Sequence, residues 1–263
     1  MSDAIKKVAV LIDAENISPK YAQLILDEAK NIGNVVCRRI YGDWSSTSLS
    51  SWKTPIMDFS INAIQQFNNT TGKNSSDSAL IINAMDLLHE GKYQCICIVS
   101  SDSDFTRLAS RIREEEIYVV GMGEKKTPAS FRSACDKFLY LDILYRQNNS
   151  EKEKISEAFE NEDNNEQIEK EEEIYINGLD QKIVTTVIDE IIDSKSDDDG
   201  WIGLATIGSL LSRKITDFDV RNFGCKNLTD FIQSLGVYEI RKESQSSNPN
   251  TKVVSIRKKR IDK

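Results

Sequence analysis

Two apolar runs in this 263-residue chain end in acids. Val8-Ala9-Val10-Leu11-Ile12 leads into Asp13-Ala14-Glu15-Asn16, and Cys95-Ile96-Cys97-Ile98-Val99 leads into Ser100-Ser101-Asp102-Ser103-Asp104. If the two runs are neighbouring strands, Asp13 and Asp102 converge at one edge of a sheet. Crowded carboxylates raise each other's pKa and resist ionising together unless a cation sits among them. A hard divalent ion with oxygen ligands, Mg²⁺ or Mn²⁺, is the natural occupant. Such a centre activates water and neutralises charge on a phosphoryl oxygen. The competing account is local: Asp102 caps a following helix, and Asp13 caps a turn.

Other chemistries have less to work with. His89 is the only histidine, so zincin sites and Ser-His-Asp or Cys-His catalysis would all have to pass through it. It follows a helical pattern two residues before Gly91, which suits a helix C-terminus. Cys37, Cys95, Cys97, Cys135 and Cys225 form no CxxC pair, and they read as reduced, mostly buried thiols. In Gly121-Met122-Gly123-Glu124-Lys125-Lys126-Thr127-Pro128, backbone N–H groups with Lys125 and Lys126 suit a phosphate backbone; a tight turn with exposed lysines competes. The Ser/Thr-rich segment from Trp44 to Trp52 suits stacking of single-stranded bases, or packing of its tryptophans beneath a loop.

The elements that must position these residues alternate. Strand patterns at 8–12, 35–41, 95–99 and 117–120 are interleaved with helical patterns opened by Pro19, over 78–89, over about 104–114 and from Pro128. Strands alternating with helices imply an α/β fold with a mainly parallel sheet, whose ligands bind at the carboxyl ends of the strands.

The formal charge of −8 is unevenly distributed: −1 over residues 1–146, −8 over 147–178 and +1 over 179–263. The middle segment is rich in Glu and Asn, so the chain is expected to run domain, acidic linker, domain. No apolar run approaches a membrane span and no signal-like start is present, so a cytoplasmic location is expected. Beyond residue 179, helical patterns over 181–194 and 204–212 and after Asn227 precede two strands, 237–241 and 252–257. Three helices and a hairpin wing describe a small winged-helix (α+β) domain. The turn at Asp197-Asp198-Asp199-Gly200 lacks EF-hand spacing and reads as solvated.

VLIDAEN, an Asp-x-Ala-Leu-Ile-Ile helix and VSSDSDF together resemble the NYN domain of the PIN-like nuclease superfamily, over roughly residues 5–145. The resemblance implies a metal-dependent ribonuclease fold using Mg²⁺ or Mn²⁺. Asp13, Asp77, Asp102 and Asp104 then match the acidic positions, and Asn16 matches the polar companion of the first. Asn83 stands where relatives commonly carry a second helix acid; its amide oxygen can bind a metal but cannot act as a base. The ligand set expected on this basis is Asp13, Asp77, Asp102 and Asn83. The run from Gly200-Trp201 onward, with its D-F-D-x-R-N-F-G-C-K-x-L core, is similar to the LOTUS (OST-HTH) domain over about 179–258. That resemblance implies contact with single-stranded or structured RNA, or docking of a protein partner. Arg221, Lys226 and the cations at 257–260 are the candidate phosphate contacts. The whole chain then reads as a ribonuclease in RNA processing or decay, and PIN-like domains often pair, which suggests a homodimer. The alternatives are a non-catalytic RNA-binding scaffold with a degenerate pocket, which Asn83 favours, and a phosphohydrolase of small nucleotides.

Overall fold

The structure is a computed structural model that describes residues 6–67, 75–149, 181–197, 199–245 and 248–259. The chain divides into two compact units, Met1–Ile155 and Ser156–Lys263. Nearly all of the acidic segment expected over 147–178 lies outside the described residues, as do Asp198 and Arg260.

In the first unit, six strands form one parallel sheet: β1 (Lys7–Asp13), β2 (Asn34–Gly42), β3 (Asn62–Gln65), β4 (Cys95–Val99), β5 (Tyr118–Gly123) and β6 (Lys137–Tyr140). Their order is β3-β2-β1-β4-β5-β6. The apolar runs of β1 and β4 are continuous because the two strands lie side by side in the middle, covered on both faces. Side chains alternate across the sheet. Val8, Val10, Ile12, Cys97 and Val99 face α1 (Ala22–Ile32) and the buried Trp52, which precedes α2 (Lys53–Asp58). Ala9, Leu11, Ile96 and Ile98 face α3 (Ser75–His89), α4 (Thr106–Glu114) and α5 (Ala129–Ala134). A helical run over residues 141–149, α6, follows β6 and adds Leu141 and Leu144 to the α1 side.

Two features depart from the pattern expected from sequence. The strands β3 and β6, four residues each, are too short to show a period. Strand β5 runs through Gly121-Met122-Gly123, which sequence places in a loop. Here the glycines serve close approach: a Cβ on Gly121 would stand 2.5 Å from the Phe138 ring, and one on Gly123 would stand 2.5 Å from the Ser100 carbonyl oxygen. Trp52 is 1% exposed, so packing beneath the loop wins over base stacking at that residue. Trp44 donates its Nε1–H to the Ile64 carbonyl at 3.0 Å.

His89 ends α3, with Nδ1 2.7 Å from the Met85 carbonyl oxygen, as its position suggested. All five cysteines are free, and Cys95, Cys97 and Cys135 are buried. Among the described residues, no helix is long and apolar enough to cross a membrane.

The second unit packs α7 (Gln181–Lys195), α8 (Leu204–Lys214) and α9 (Leu228–Leu235) against a three-stranded antiparallel sheet. Its strands are β7 (Ile202–Gly203), β8 (Tyr238–Gln245) and β9 (Asn248–Lys258), in the order β7-β9-β8. Phe218, Phe223 and Phe231 close its core with Ile188, Ile207 and Ile256.

Candidate functional site

In the first unit the sheet changes direction between β1 and β4: β2 and β3 extend one way and β5 and β6 the other. At such a switch point the loops leave on opposite faces and open a crevice at the strand ends. Asp13 closes β1 at that point and is 1% exposed. Its Oδ1 accepts the backbone N–H of Glu15 (3.0 Å) and of Asn16 (3.3 Å). Its Oδ2 accepts from Asn16 Nδ2 and from the Ser100 hydroxyl, both at 2.8 Å. Burial pushes the Asp13 carboxyl above its ordinary range, against the lowering effect of these four bonds.

Ser100, just past β4, couples the two strand ends. Its Oγ donates to Asp13 and accepts the Asp102 backbone N–H at 3.1 Å. Asp102 then caps the 3-10 turn Ser103–Phe105, its Oδ1 accepting the Asp104 N–H at 3.0 Å. Capping and convergence therefore coexist, because the cap holds the acid beside its neighbours. Asp77, on the first turn of α3, completes the group. Carboxylate oxygens of Asp77, Asp102 and Asp104 all lie within 4.8 Å of one another. Asp77 is 7% exposed. Burial, then the charges of Asp13, Asp102, Asp104 and Glu15, push it up to about 7. Three hard oxygen donors this close, one of them reluctant to ionise, suit a divalent cation better than they suit each other.

The remaining expected residues lie around this centre or away from it. Asn16 is bonded to Asp13. Asn83, six residues and about 9 Å along α3 from Asp77, gives its Oδ1 to Arg39 Nη1 (3.1 Å) and the Tyr41 hydroxyl (3.3 Å). Lys126 pairs with Glu124 at 2.9 Å, and the Lys125 backbone N–H donates to Asp142 at 3.1 Å. Burial alone would raise the Glu124 carboxyl, but Lys126, Tyr21 and Lys20 together hold it below its ordinary value. The Glu124 N–H donates to the Ser101 hydroxyl at 2.9 Å, which ties this loop to the end of β4.

In the second unit, Arg221 forks onto Asp219, with Nε to Oδ1 at 3.1 Å and Nη2 to Oδ2 at 2.9 Å. Asp219 also caps the 3-10 turn Val220–Phe223, and buried Asn222 donates to the Asp217 carbonyl at 3.0 Å. Much of the distinctive D-F-D-x-R-N-F motif thus holds its own turn. Lys226 is exposed. Arg257 pairs with Glu239 at 2.7 Å, Lys258 with Asp193 at 2.7 Å, and Lys259 donates to the Gly236 carbonyl. Sequence reasoning missed one cationic feature. Trp201 lies under the guanidinium groups of Arg241 and Arg257, at 4.5 and 4.6 Å from its ring centroid. The pairing of β9 with both β8 and β7, which follows Trp201 directly, brings these three together; Arg241 alone carried no motif.

No curated protein matches the chain. Among solved structures, a protein of unknown function from Vibrio parahaemolyticus is similar at 18% identity with a TM-score of 0.46, covering 53% of this chain and 95% of that one. The NYN domain model matches residues 7–142, just over half of the chain, and the OST-HTH/LOTUS domain model matches residues 180–249. The first match spans the sheet and its acidic switch point, the second the three helices and β8 of the other unit. The chain therefore belongs to the NYN domain family, with an OST-HTH/LOTUS domain following its NYN domain.

Proposed function

We propose that this protein is a metal-dependent ribonuclease whose NYN domain hydrolyses phosphodiesters and whose LOTUS domain holds RNA. The observation that carries this assignment is the convergence of Asp77, Asp102 and Asp104 at the switch point, with Asp77 pushed up to about 7. These three residues would hold Mg²⁺ or Mn²⁺. A divalent ion bound there supplies Lewis acidity toward the phosphate and a nucleophilic water at neutral pH.

The other residues act through position. Asp13, with both oxygens engaged, fixes Asn16 and Ser100 and, through Ser100, the backbone of Asp102. Its negative charge also contributes to the demand for a cation at Asp77. Of the ligands expected from sequence, Asp77 and Asp102 would hold the ion, Asp104 would join them, and Asp13 would support them from behind, whereas the Asn83 amide is engaged by Arg39 and Tyr41. Lys125 and Lys126 would meet the RNA backbone from the β5 loop, and Lys226 from the LOTUS domain, with Arg241 and Trp201 added as a cationic face; Arg221, forked onto Asp219, would serve by holding its turn. A cytoplasmic setting in RNA processing or decay, pairing into a homodimer and a protein partner on the LOTUS domain belong to the same proposal.

A non-catalytic scaffold is the second reading. It is favoured by one observation: the Asn83 position contributes an amide already bonded to Arg39 and Tyr41 in place of another carboxylate.

End-labelled single-stranded RNA incubated with Mn²⁺, Mg²⁺ or EDTA separates the two. Metal-dependent cleavage that disappears in Asp102→Asn is expected. Intact RNA with wild-type protein, with RNA binding retained, would leave the scaffold.

A further inference from the structure

Beside the acidic centre lies a cavity of about 560 Å³, lined in part by Glu15, Asn16, Ser18, Ser51, Trp52 and Lys126. Its size is that of small-molecule sites. Asn16 joins it to the centre through its bond to Asp13, and Glu15 is close enough for its charge to act on Asp77.

Two properties of the lining restrict what fits. The first is charge. Glu15, Asp43 and Glu124 all border the cavity, while the cation among its described lining residues, Lys126, is already paired with Glu124. A phosphate would enter against three carboxylates, so the ligand portion is uncharged. The second is the mix of polar and apolar groups. The Ser18 and Ser51 hydroxyls and the Glu15 carboxylate supply donors and acceptors, while Leu49, Ile17 and the otherwise buried Trp52 border the cavity with apolar surface.

We propose that this cavity receives the ribose and base of the RNA nucleotide whose phosphate lies at the acidic centre, so that it reads a ribonucleoside. A ribonucleoside is neutral, offers an apolar base face, and presents hydroxyl and N–H groups to carboxylates and serines. Its 2′-hydroxyl, both donor and acceptor, is the group that tells RNA from DNA. Trp52 borders the cavity while its indole is packed in the core, so it reports on the ligand from the cavity wall. This assignment rests on the nuclease reading for the location of the phosphate, but its test does not require cleavage.

The full-length chain labelled with 5-fluorotryptophan is titrated without metal, using guanosine, 2′-deoxyguanosine and inorganic phosphate as probes. The Trp52 fluorine resonance is assigned by its loss in Trp52→Phe. Guanosine should shift that resonance saturably, with half-saturation below about 5 mM. Binding should weaken about fivefold with 2′-deoxyguanosine, and by a similar factor in Glu15→Ala and in Ser51→Ala. If Trp52→Phe does not fold, the resonance that responds to Glu15→Ala and Ser51→Ala identifies the site. An unmoved Trp52 resonance, an equal response to inorganic phosphate, or equal affinity for the deoxynucleoside overturns the proposal. RNA left uncut by wild-type protein, with guanosine still bound, would instead strike the nuclease assignment alone.

Discussion

Each unit of this protein contains an aspartate that caps a 3-10 turn in the same way. Asp102 accepts the Asp104 N–H at 3.0 Å, and Asp219 accepts the Arg221 N–H at 3.0 Å. Their neighbours differ. Asp219 faces the guanidinium of Arg221, which satisfies its charge within the turn. Asp102 faces Asp77 and Asp104, so the cap places like charges together. A local device that stabilises one unit therefore builds repulsion into the other, and clustered groups with displaced pKa values are a signature of functional sites. The motif alone cannot distinguish the two; the element packed beside it can.

The largest effect that separates the two caps is expected from a matched pair of variants. Asparagine is as good an N-cap as aspartate. Asp102→Asn should keep the turn and lower metal-dependent RNA cleavage by at least about a hundredfold, near 3 kcal/mol of barrier. Asp219→Asn should leave the cleavage rate within about twofold and cost about 1–2 kcal/mol in urea unfolding of the second unit, because Arg221 loses a charged partner. Similar cleavage losses in both would erase the contrast.

Next in size is the response to a cation. Asp77 holds its proton more tightly folded than unfolded. Its contribution to stability is therefore present below the ordinary carboxylate value and is lost as pH rises through about 7. Without metal, the first unit should melt lower at pH 8 than at pH 5.5. Mn²⁺ at about a hundredfold over its Kd should raise the melting temperature by roughly 5–10 °C at pH 8, and by much less at pH 5.5, where Asp77 is protonated. Differential scanning calorimetry with EDTA controls reads both signs; a metal shift independent of pH would remove Asp77 from the site.

A smaller change sharpens the cationic side of the comparison. Arg241→Ala should weaken RNA binding about threefold to tenfold and lower the salt slope of log K by about one, whereas Arg221→Ala should act mainly through stability. Fluorescence anisotropy across a salt series tests this ordering. The smallest effect concerns Asn83. An aspartate there has Arg39 as a ready partner, so Asn83→Asp should alter cleavage by less than about threefold. A change of about tenfold, near 1.4 kcal/mol of barrier, would place residue 83 in contact with the ion.

Much of the acidic edge was legible because it needs only strand ends. An apolar run followed by Asp13, and a second followed by Asp102, suffice once the strands are adjacent. Asp77 was legible only by resemblance, since its arrival depends on how α3 docks. What remained hidden depends on pairing across long separations: Ser100 joining Asp13 to Asp102, Asn83 engaged by β2, and Arg241 brought over Trp201. The fork of Arg221 onto Asp219, two residues away, hid for another reason: spacing does not separate a cation that closes its own turn from one left to meet RNA. Strands β3 and β6 were missed because four residues at or near a sheet edge have no period to show. The glycines of β5 look like a loop in sequence because the reason for them is the carbonyl of Ser100 and the ring of Phe138.

Gly123 carries that last point further. The space a methyl group would need at this position is occupied by the backbone of the residue whose hydroxyl holds Asp13 and receives Asp102. Even an uncharged side chain there acts as a wedge between β5 and the end of β4 that moves both acids without altering a single charge. A lineage could thus abolish the proposed cleavage while every acidic residue of the motif stayed in place, and an inventory of aspartates would not register the change.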